Sequence, residues 1–390
     1  MEMPHTADAI IIGGGTVGCW TAYFLTQMKF GRVIVLDRDD LGSGASSRAA
    51  GAVRQQGGLP VTVKLGMLSH DFYRALSHEI GVDAGFRETG YVVAATTEEE
   101  RRLAEARVPM QRELGLDVRM IEVEEVKRFF PFMNTAGILA ATYCATDGYV
   151  LPAKLVRAYT VALVRSGIPF YEHCEVTDLV TEGGTVRGVE TTQGRFEAPV
   201  VVNAGGPWAG IIAERFSVTV PAKGTRLHVY VTSPRPEFAS VPPMFFDVAQ
   251  GAYFRHEEGG LLISITDPEE GPSECRDIKW EFLDRMRATM ERRVPLLRDT
   301  PLSRIWVGTI DYTVDHLPII DEVPGVKGLF AVTAGGAGMM WGPGVARLAA
   351  ELISQGETKS ADITMLRLDR FDAQGNSKYF DPLALPFPKE

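Results

Sequence analysis

A glycine-rich turn between two short apolar runs, close to the start of the chain, constrains its fold more than any other feature. Ala9-Ile-Ile-Ile12 leads into Gly13-Gly-Gly-Thr-Val-Gly18, and a second apolar run, Val33-Ile-Val-Leu36, ends at Asp37. The glycines have the spacing G-x-G-x-x-G, which permits a tight turn, close approach of backbone to a pyrophosphate, and close packing of helix on strand. An acid about 20 positions later is placed to bind ribose hydroxyls. The pattern therefore predicts a strand–helix–strand unit that binds a dinucleotide, and a purely structural turn is the alternative.

Length and charge exclude several classes of protein. With 390 residues the chain exceeds the usual size of one core, so two domains are expected. A net charge of -10, with scattered Lys and Arg, gives no electrostatic basis for binding nucleic acid or an anionic membrane. The sequence shows no signal-peptide pattern and no 18-residue apolar run, so we expect a cytoplasmic protein without membrane insertion. The cysteines and histidines lack metal-ligand spacing, so no metal is expected.

Periodicity along the chain predicts an alternation of helices and strands. Helices are predicted over residues 61–80, 98–114, 122–130, 152–166 and 279–294 and around 344–355. Strands are predicted over 86–95, 303–311 and 329–333, with a meander of three or four strands within 174–203 and a substrate-side sheet within 219–265. The proline-rich tail, 380–390, is predicted to lie extended on the surface.

These elements predict an α/β fold with two domains. A discontinuous Rossmann-like cofactor domain takes residues 1–85, 146–218 and 312–370, because its first strand is N-terminal and its last glycine turn is C-terminal. A substrate domain with a mixed antiparallel sheet takes 86–145 and 219–311, and 371–390 form a C-terminal tail.

The glycine fingerprint occurs once. A flavin enzyme that is reduced by a nicotinamide usually needs a second dinucleotide unit, so a single unit favours reduction of a flavin by the substrate itself. The sequence has no C-x-x-C motif, which argues against a disulfide reductase. If the cofactor were NAD, a separate pairing of histidine and acid would be expected, and none is evident.

An ordered set of motifs resembles, over nearly the whole chain, the amine-oxidising FAD family that contains D-amino-acid oxidase, glycine oxidase and sarcosine oxidase. After the fingerprint, the set comprises Gly44-Ala-Ser-Ser-Arg48 with Gly51-Ala-Val-Arg54, Asp147-Gly-Tyr-Val-Leu-Pro152, Val202-Asn-Ala-Gly-Gly-Pro-Trp208, Asp315-His-Leu-Pro-Ile-Ile-Asp321 and Ala334-Gly-Gly-Ala-Gly338. Each motif alone is weak, but their order along the chain makes the resemblance specific.

The resemblance implies FAD in an extended pose. Its implied contacts are Gly13, Gly15, Thr16, Val17, Gly18, Asp37, Arg38, Ser46, Ser47, Arg48, Val176, Ala204, Gly205, Gly308, Gly336, Ala337, Gly338 and Met339. Ser46 to Arg48 would lie along the ribityl chain and pyrophosphate, and Val176 would present backbone to the adenine. The 335–340 loop would stabilise negative charge at the flavin N1 and C2 carbonyl. Ordinary glycine turns are the alternative at 204–206 and 335–336.

Two departures from the family pattern bear on the flavin. Gly308 stands where covalent sarcosine oxidases attach flavin through cysteine, and the 44–48 loop has no histidine, so FAD is predicted to be non-covalent. Leu262 stands near a lysine credited in monomeric sarcosine oxidases with promoting the reaction with oxygen. The electron acceptor is therefore left open between oxygen and another species.

On the substrate side, the resemblance points to Arg54 as the group that binds a substrate carboxylate, a task that suits the guanidinium fork. Tyr253 and Trp341 are candidate walls around an amine, with Met340 as adaptable packing. His316 is a candidate second-sphere group. The alternatives are a structural arginine, core aromatics and an ordinary hydrogen-bonded histidine.

The sequence thus leads to three hypotheses. The first is oxidation of a secondary or N-methyl amino acid, sarcosine-like or proline-like, by hydride transfer to FAD N5, followed by hydrolysis of the imine. The second is an FAD-dependent 2-hydroxy acid dehydrogenase, for which His316 and His256 are the only histidines to nominate as base. The third is a flavin-bearing subunit of a multi-protein amino-acid dehydrogenase, with a homo-oligomer or a partner subunit as further expectations.

Overall fold

The computed structural model describes residues 5–267 and 269–383. The α-helices within these residues are α1 (Thr16–Gln27), α2 (Pro60–Ile80), α3 (Glu98–Glu113), α4 (Val123–Phe129), α5 (Pro152–Arg165), α6 (Ala209–Arg215), α7 (Trp280–Arg293) and α8 (Gly338–Gln355). The strands are β1 (Ala9–Ile12), β2 (Val33–Leu36), β3 (Ala52–Val53), β4 (Phe86–Glu88), β5 (Tyr91–Ala95), β6 (Val118–Ile121), β7 (Ala140–Cys144), β8 (Gly148–Val150), β9 (Phe170–Tyr171), β10 (Val176–Glu182), β11 (Thr185–Thr191), β12 (Gly194–Glu197), β13 (Val200–Asn203), β14 (Lys223–Thr232), β15 (Met244–Asp247), β16 (Ala252–Glu257), β17 (Gly260–Ile265), β18 (Leu302–Tyr312), β19 (Ile319–Glu322) and β20 (Leu329–Thr333).

A six-stranded sheet contains the glycine fingerprint. Its order is β19-β20-β13-β1-β2-β9, parallel throughout except for the edge strand β19. The β1–α1–β2 unit forms as predicted, and Asp37 directly follows β2. All residues of β1 and β2 are buried, which explains why both strands are continuous apolar runs rather than alternating ones.

Two apolar layers cover this sheet. Ala9 and Ile11 of β1 face a core formed with α1, α2, α5 and α8, while Ile10 and Ile12 face the opposite layer. That opposite layer contains α6 and the meander β10-β11-β12. The alternation along β1 follows from the period of two in a strand. The sheet therefore holds the fingerprint turn at a fixed place between two packed layers.

The second large sheet has eight strands in the order β18-β14-β17-β16-β15-β5-β7-β6. All its pairings are antiparallel except that of β15 with β5. Three short strands form a small antiparallel sheet in the order β3-β8-β4. In sequence, each of them falls between strands of the two large sheets. The division into domains with the boundaries given above stays a prediction.

Three local predictions need correction. The meander has three strands, and residues 200–203 join the parallel sheet instead, because Val200-Val-Val-Asn203 is a continuous apolar run that suits a central strand. The 86–95 strand is divided at Gly90, whose φ of 82° ends β4 before β5 begins. The tail is not simply a surface segment: Phe380 is exposed, but Asp381 and Leu383 are buried, and residues 384–390 lie outside the described residues.

Helix α8 begins at Gly338, six residues before the predicted start. Pro343 lies inside this helix and has no N–H to donate to the carbonyl of Met339, four residues earlier. The hydroxyl of Tyr73 on α2 donates to that carbonyl at 2.8 Å. A side chain from another helix thus replaces the missing bond, a compensation that periodicity within 338–355 cannot reveal.

Candidate cofactor and substrate site

Two adjoining cavities open on the carboxyl ends of the parallel strands. The outer cavity is lined by the Gly13 turn, Asp37, Val176 and the 204–208 segment. The inner cavity is lined by Arg54, two tyrosines, the 335–341 segment and Leu383. Both are lined by Thr16, Ala45, Ser46, Asp311 and Gly338. Because these residues are shared, the two cavities are direct neighbours.

The fingerprint turn brings the start of α1 to the outer cavity. Gly13 has a φ of 107°, and a Cβ on Gly18 would lie 1.9 Å from the Gly13 carbonyl oxygen, so both positions require glycine. Gly15 precedes α1 without a side-chain cap, and Gly15, Thr16 and Val17 line the cavity. Apart from that of Thr16, which donates to a neighbouring loop, the N–H groups of this first turn suit an anionic group.

Asp37 lies beside this turn. Its Oδ2 accepts a hydrogen bond from Gly14 N at 2.6 Å, and its Oδ1 accepts one from Asp39 N at 2.9 Å. Burial raises the pKa of Asp37, while these two backbone bonds oppose the rise. Each oxygen keeps further acceptor capacity, so the carboxylate can also accept from ribose hydroxyls.

A hydrogen bond joins the 44–48 loop to the start of α1. Ser46 Oγ accepts from Thr16 N at 3.0 Å, and Ser46 lines both cavities. The Arg48 carbonyl accepts from Trp306 Nε1 at 2.8 Å, and a Cβ on Gly308 would lie 3.3 Å from Arg48 Cβ. Ser47 and Arg48 belong to this loop and Gly308 packs against it, but none of the three lines either cavity.

The far wall of the outer cavity contains Ala204 and Gly205, with Val176 nearby. Ala204 N donates to the Ile12 carbonyl at 2.9 Å, which holds this segment against the fingerprint. Trp208 also lines the cavity; Arg38 lies 4.4 Å from its ring centroid, and its Nε1 donates to Glu274 at 2.7 Å. Sequence reasoning did not identify Trp208 or Glu274 as wall residues.

Asp311 holds the C-terminal glycine turn. Its Oδ2 accepts from Ala334 N at 2.8 Å and from Gly335 N at 2.9 Å. Gly335 and Gly336 have φ angles of 59° and 88°, a conformation that favours glycine. Burial raises the pKa of Asp311, and its bonds to the turn oppose the rise. The sequence analysis missed this residue, because the backbone amides that it binds lie 23 and 24 residues further along the chain.

The start of α8 follows this turn and faces both cavities. Gly338 lines both of them, Ala337, Met339 and Met340 line the inner one, and the helix has no side-chain N-cap bond. The N-terminal end of this 18-residue helix therefore presents free N–H groups and the positive end of its dipole. Such an environment stabilises negative charge.

Arg54 is buried in the inner cavity, with 5% of its surface exposed. Its Nη2 donates to the Leu383 carbonyl at 2.9 Å, and the rings of Phe246 and Tyr91 lie 5.3 and 5.8 Å from its Cζ atom. Within the described part of the chain, its Nε and Nη1 have no hydrogen-bond partner. A buried guanidinium with unused donors is costly unless an acceptor, best an anion, completes it.

A buried carboxylate holds the residues that follow Arg54. Asp147 is fully buried and accepts from Gln55 N at 2.8 Å and from Gln56 Nε2 at 2.9 Å. Thr142 Oγ1 in turn donates to Gln56 Oε1 at 2.6 Å. This network fixes the backbone from which Arg54 extends, and sequence reasoning did not identify it.

The other predicted substrate-side residues divide into two groups. Tyr253, Met340 and Trp341 line the inner cavity with Arg54. Trp341 is 3% exposed, and its Nε1 has no acceptor among the residues that the structure describes. His316 lies elsewhere, 5.3 Å from the Phe380 ring, and neither His316 nor His256 lines either cavity.

The residues present fit FAD. The adjoining cavities offer the Asp37 carboxylate and the start of α1, which suit ribose and pyrophosphate, and the start of α8 beside the inner cavity, which suits a flavin. Residues 5–267 and 269–383 contain no group of three or more His, Cys, Asp or Glu that could hold a metal. No helix in the same residues is long and apolar enough to cross a membrane.

Comparisons with known proteins agree with this geometry. The family model described as "FAD dependent oxidoreductase" matches residues 8–352. Mitochondrial sarcosine dehydrogenase of Mus musculus is 28% identical over 374 residues, which cover 91% of this chain and 40% of that protein. The chain thus spans less than half the length of that relative.

Two solved structures share the fold over most of their length. L-proline dehydrogenase from P. horikoshii has a TM-score of 0.85 at 27% identity and covers 92% of this chain and 96% of its own. Glycine oxidase from Geobacillus kaustophilus has a TM-score of 0.84 at 26% identity and covers 95% of this chain and 100% of its own. The predicted family resemblance, fold class and FAD cofactor are confirmed.

Proposed function

Because the chain belongs to the family of FAD-dependent oxidoreductases, we propose that it oxidises a secondary or N-methyl amino acid at the carbon–nitrogen bond. The product imine is then hydrolysed by water. Sarcosine-like and proline-like compounds are the substrate class, in keeping with the names of the similar sarcosine and proline dehydrogenases.

The observation that carries this proposal is the state of Arg54. A buried arginine with two unpartnered nitrogens in a largely aromatic and aliphatic cavity needs an anionic ligand. A carboxylate matches the guanidinium in charge and geometry. The substrate would therefore bind through its carboxylate, with its amine directed toward the 335–341 segment.

FAD, when bound, supplies the two-electron acceptor for a hydride taken from the carbon beside nitrogen. The chain itself positions the substrate and excludes water. Arg54 holds the carboxylate, Tyr253 and Trp341 limit where the amine can lie, and the start of α8 favours the negative charge that develops on the cofactor.

The groups of the inner cavity suit an amine better than a 2-hydroxy acid. Its titratable lining consists of Arg54, Tyr91, Tyr253 and Asp311. Burial raises the pKa of Tyr253 to about 12, and Asp311 is engaged by two backbone amides. A hydroxyl needs a positioned base, whereas an amine that enters in its neutral form does not. The histidines nominated for the hydroxy acid reaction, His256 and His316, lie outside this lining.

The remaining predictions form part of the same proposal. FAD is bound without a covalent link, through the fingerprint, Asp37, Ser46, Val176 and the 334–339 segment. Electrons pass to oxygen or to another acceptor, and a role as one subunit of a larger dehydrogenase is a second candidate.

Anaerobic mixing of the FAD-loaded protein with candidate substrates tests the proposal. Sarcosine, other N-methyl amino acids and proline are expected to bleach the flavin absorbance, whereas primary amino acids and 2-hydroxy acids react slowly. If no amine bleaches the flavin, the proposed function is wrong. Admitting oxygen afterwards and timing the return of colour separates an oxidase from a dehydrogenase.

A further inference from the structure

The C-terminal strap, residues 381–383, is buried at its first and last residues although it follows an exposed residue. Phe380 is 57% exposed, whereas Asp381 and Leu383 are 1% and 2% exposed. Leu383 packs in an apolar cluster with Tyr91 and Phe246 and lines the inner cavity. The strap is thus part of the cavity wall, although it lies more than 320 residues beyond Arg54 in sequence.

Hydrogen bonds hold the strap from both sides. Asp381 N donates to the Asp315 carbonyl at 3.1 Å, and Leu383 N donates to Asp381 Oδ1 at 2.9 Å. The Leu383 carbonyl then accepts from Arg54 Nη2 at 2.9 Å. That carbonyl occupies Nη2 of the guanidinium, so Nε and Nη1 are left for a ligand.

The strap also separates two spaces. Leu383 lines the inner cavity, while Pro382 lines a second cavity together with Arg107 and Val248. Burial raises the pKa of the Asp381 carboxylate, while the charges of both Arg54 and Arg107 act on it and lower its pKa. If the strap moved, the inner cavity would extend past Arg54 toward Arg107.

The strap packs against Gly58, where a larger residue would clash with it. A Cβ on Gly58 would lie 2.0 Å from Asp381 Oδ1 and 2.8 Å from Pro382 Cδ. Gly58 is not among the residues with positive φ, so alanine suits its backbone and would act by displacing the Asp381 carboxylate and the Pro382 ring.

We propose that the C-terminal strap determines the length of substrate that the inner cavity accepts, by closing the cavity with Leu383 and by orienting Arg54 through the Leu383 carbonyl. This inference rests on the proposed function, because it takes Arg54 as the carboxylate-binding group. The strap would then determine specificity, although none of its hydrogen bonds described above joins it to the fingerprint or to the C-terminal glycine turn.

The test compares the binding of straight-chain carboxylates, from acetate to hexanoate, to the oxidised FAD-loaded protein by perturbation of the flavin absorbance. Wild type is expected to bind short acids and to lose affinity sharply as the chain lengthens. Gly58→Ala and Leu383→Ala are expected to change the ratio of hexanoate to acetate affinity in favour of hexanoate by about ten-fold, near the value of one or two buried methylene groups. Gly271→Ala is the matched control, because nothing lies within 4 Å of a Cβ at that position.

An unchanged affinity ratio in both variants, or failure of wild type to bind any of these acids, would overturn the strap proposal. If Gly58→Ala does not fold, Leu383→Ala decides the question, since it only shortens a side chain. A different outcome would contradict the proposed function alone. In that case wild type binds carboxylates with the expected length dependence, but no amine bleaches its flavin.

Discussion

The burial of Arg54 and its missing hydrogen-bond partners among the described residues indicate a binding site for a ligand. The side chain is almost inaccessible, has aromatic rings near its guanidinium, and donates one described hydrogen bond, to a backbone carbonyl. Leaving a charged group so incompletely paired is expensive, and natural proteins tolerate that cost mainly where function requires it.

Replacement of this arginine provides the first prediction. Arg54→Ala is expected to raise the KM for a carboxylated amine by about 10- to 100-fold, because hydrogen bonds to charged groups contribute about 1.5–3 kcal/mol. Steady-state rates at a series of substrate concentrations, with an artificial electron acceptor, measure the change. Arg298→Ala is the control, since that side chain is 80% exposed. An unchanged KM in Arg54→Ala would remove this residue from the substrate site.

At the same scale, the sequence pointed to cavity-lining residues that belong to a local motif. The fingerprint, Asp37 and Arg54 belong to short segments with recognisable spacing. Asp311 and Leu383 act through partners 23 and 329 residues away, so no local pattern identifies them. His316 was nominated because it is a histidine within a family motif, but the fold places it outside both cavities.

At the scale of elements, α8 is the helix whose beginning matters most to the site. Its proline would leave the Met339 carbonyl without a partner if Tyr73 did not donate to it. Periodicity predicted the later part of α8 correctly but not its glycine-rich start. Element type was predictable wherever one period persisted, whereas ends that depend on contacts between elements were not.

Tyr73→Phe tests this compensation. The variant keeps the ring but removes the hydroxyl, so it is expected to reduce the free energy of unfolding by about 1–3 kcal/mol, the usual cost of an unsatisfied buried polar group. Denaturant unfolding measures it. Tyr23→Phe, on the half-buried face of α1, is the control and should change stability by less than about 0.5 kcal/mol. Equal stability of Tyr73→Phe and wild type would show that another group serves the carbonyl.

The contact between α1 and α8 supports a second prediction at this scale. A Cβ on Gly342 would lie 2.9 Å from Thr16 Cγ2, so Gly342→Ala should push apart the two helix starts that face the cavities. Overpacking of this kind costs about 1–3 kcal/mol, and we expect FAD affinity to fall by about ten-fold or more. Titration of the apoprotein with FAD, followed by fluorescence, measures the loss.

A second substitution gives this experiment its internal control. Thr16→Ser removes Cγ2 but retains the hydroxyl that interacts with Ser46 at 3.0 Å. The double variant Thr16→Ser with Gly342→Ala should therefore recover most of the FAD affinity. If the double variant binds FAD as weakly as Gly342→Ala alone, the steric explanation is wrong.

At the scale of the whole molecule, two buried histidines link stability to pH. Burial lowers the pKa of His228 to about 4, with a smaller contribution from the charge of Arg226, and burial likewise lowers the pKa of His316 to about 4. The Nε2 atom of His228 accepts from Lys279 N at 2.9 Å, at the start of α7, which an imidazolium cannot do. Both side chains are therefore neutral in the folded protein at pH 7.

The direction of the pH effect follows from the difference in histidine pKa between the folded and the unfolded chain. Near pH 6.5 the unfolded chain begins to bind protons at these histidines, while the folded chain does so only near pH 4, so acidification favours unfolding. The free energy of unfolding of wild type should fall as the pH is lowered through this window, with His228 contributing about 1–3 kcal/mol. Urea unfolding at pH 7 and pH 5 measures the loss, and His228→Gln should lose less than wild type between the same two pH values. A loss as large in His228→Gln as in wild type would mean that His228 does not contribute, and that other groups, His316 among them, account for the acid sensitivity of the fold.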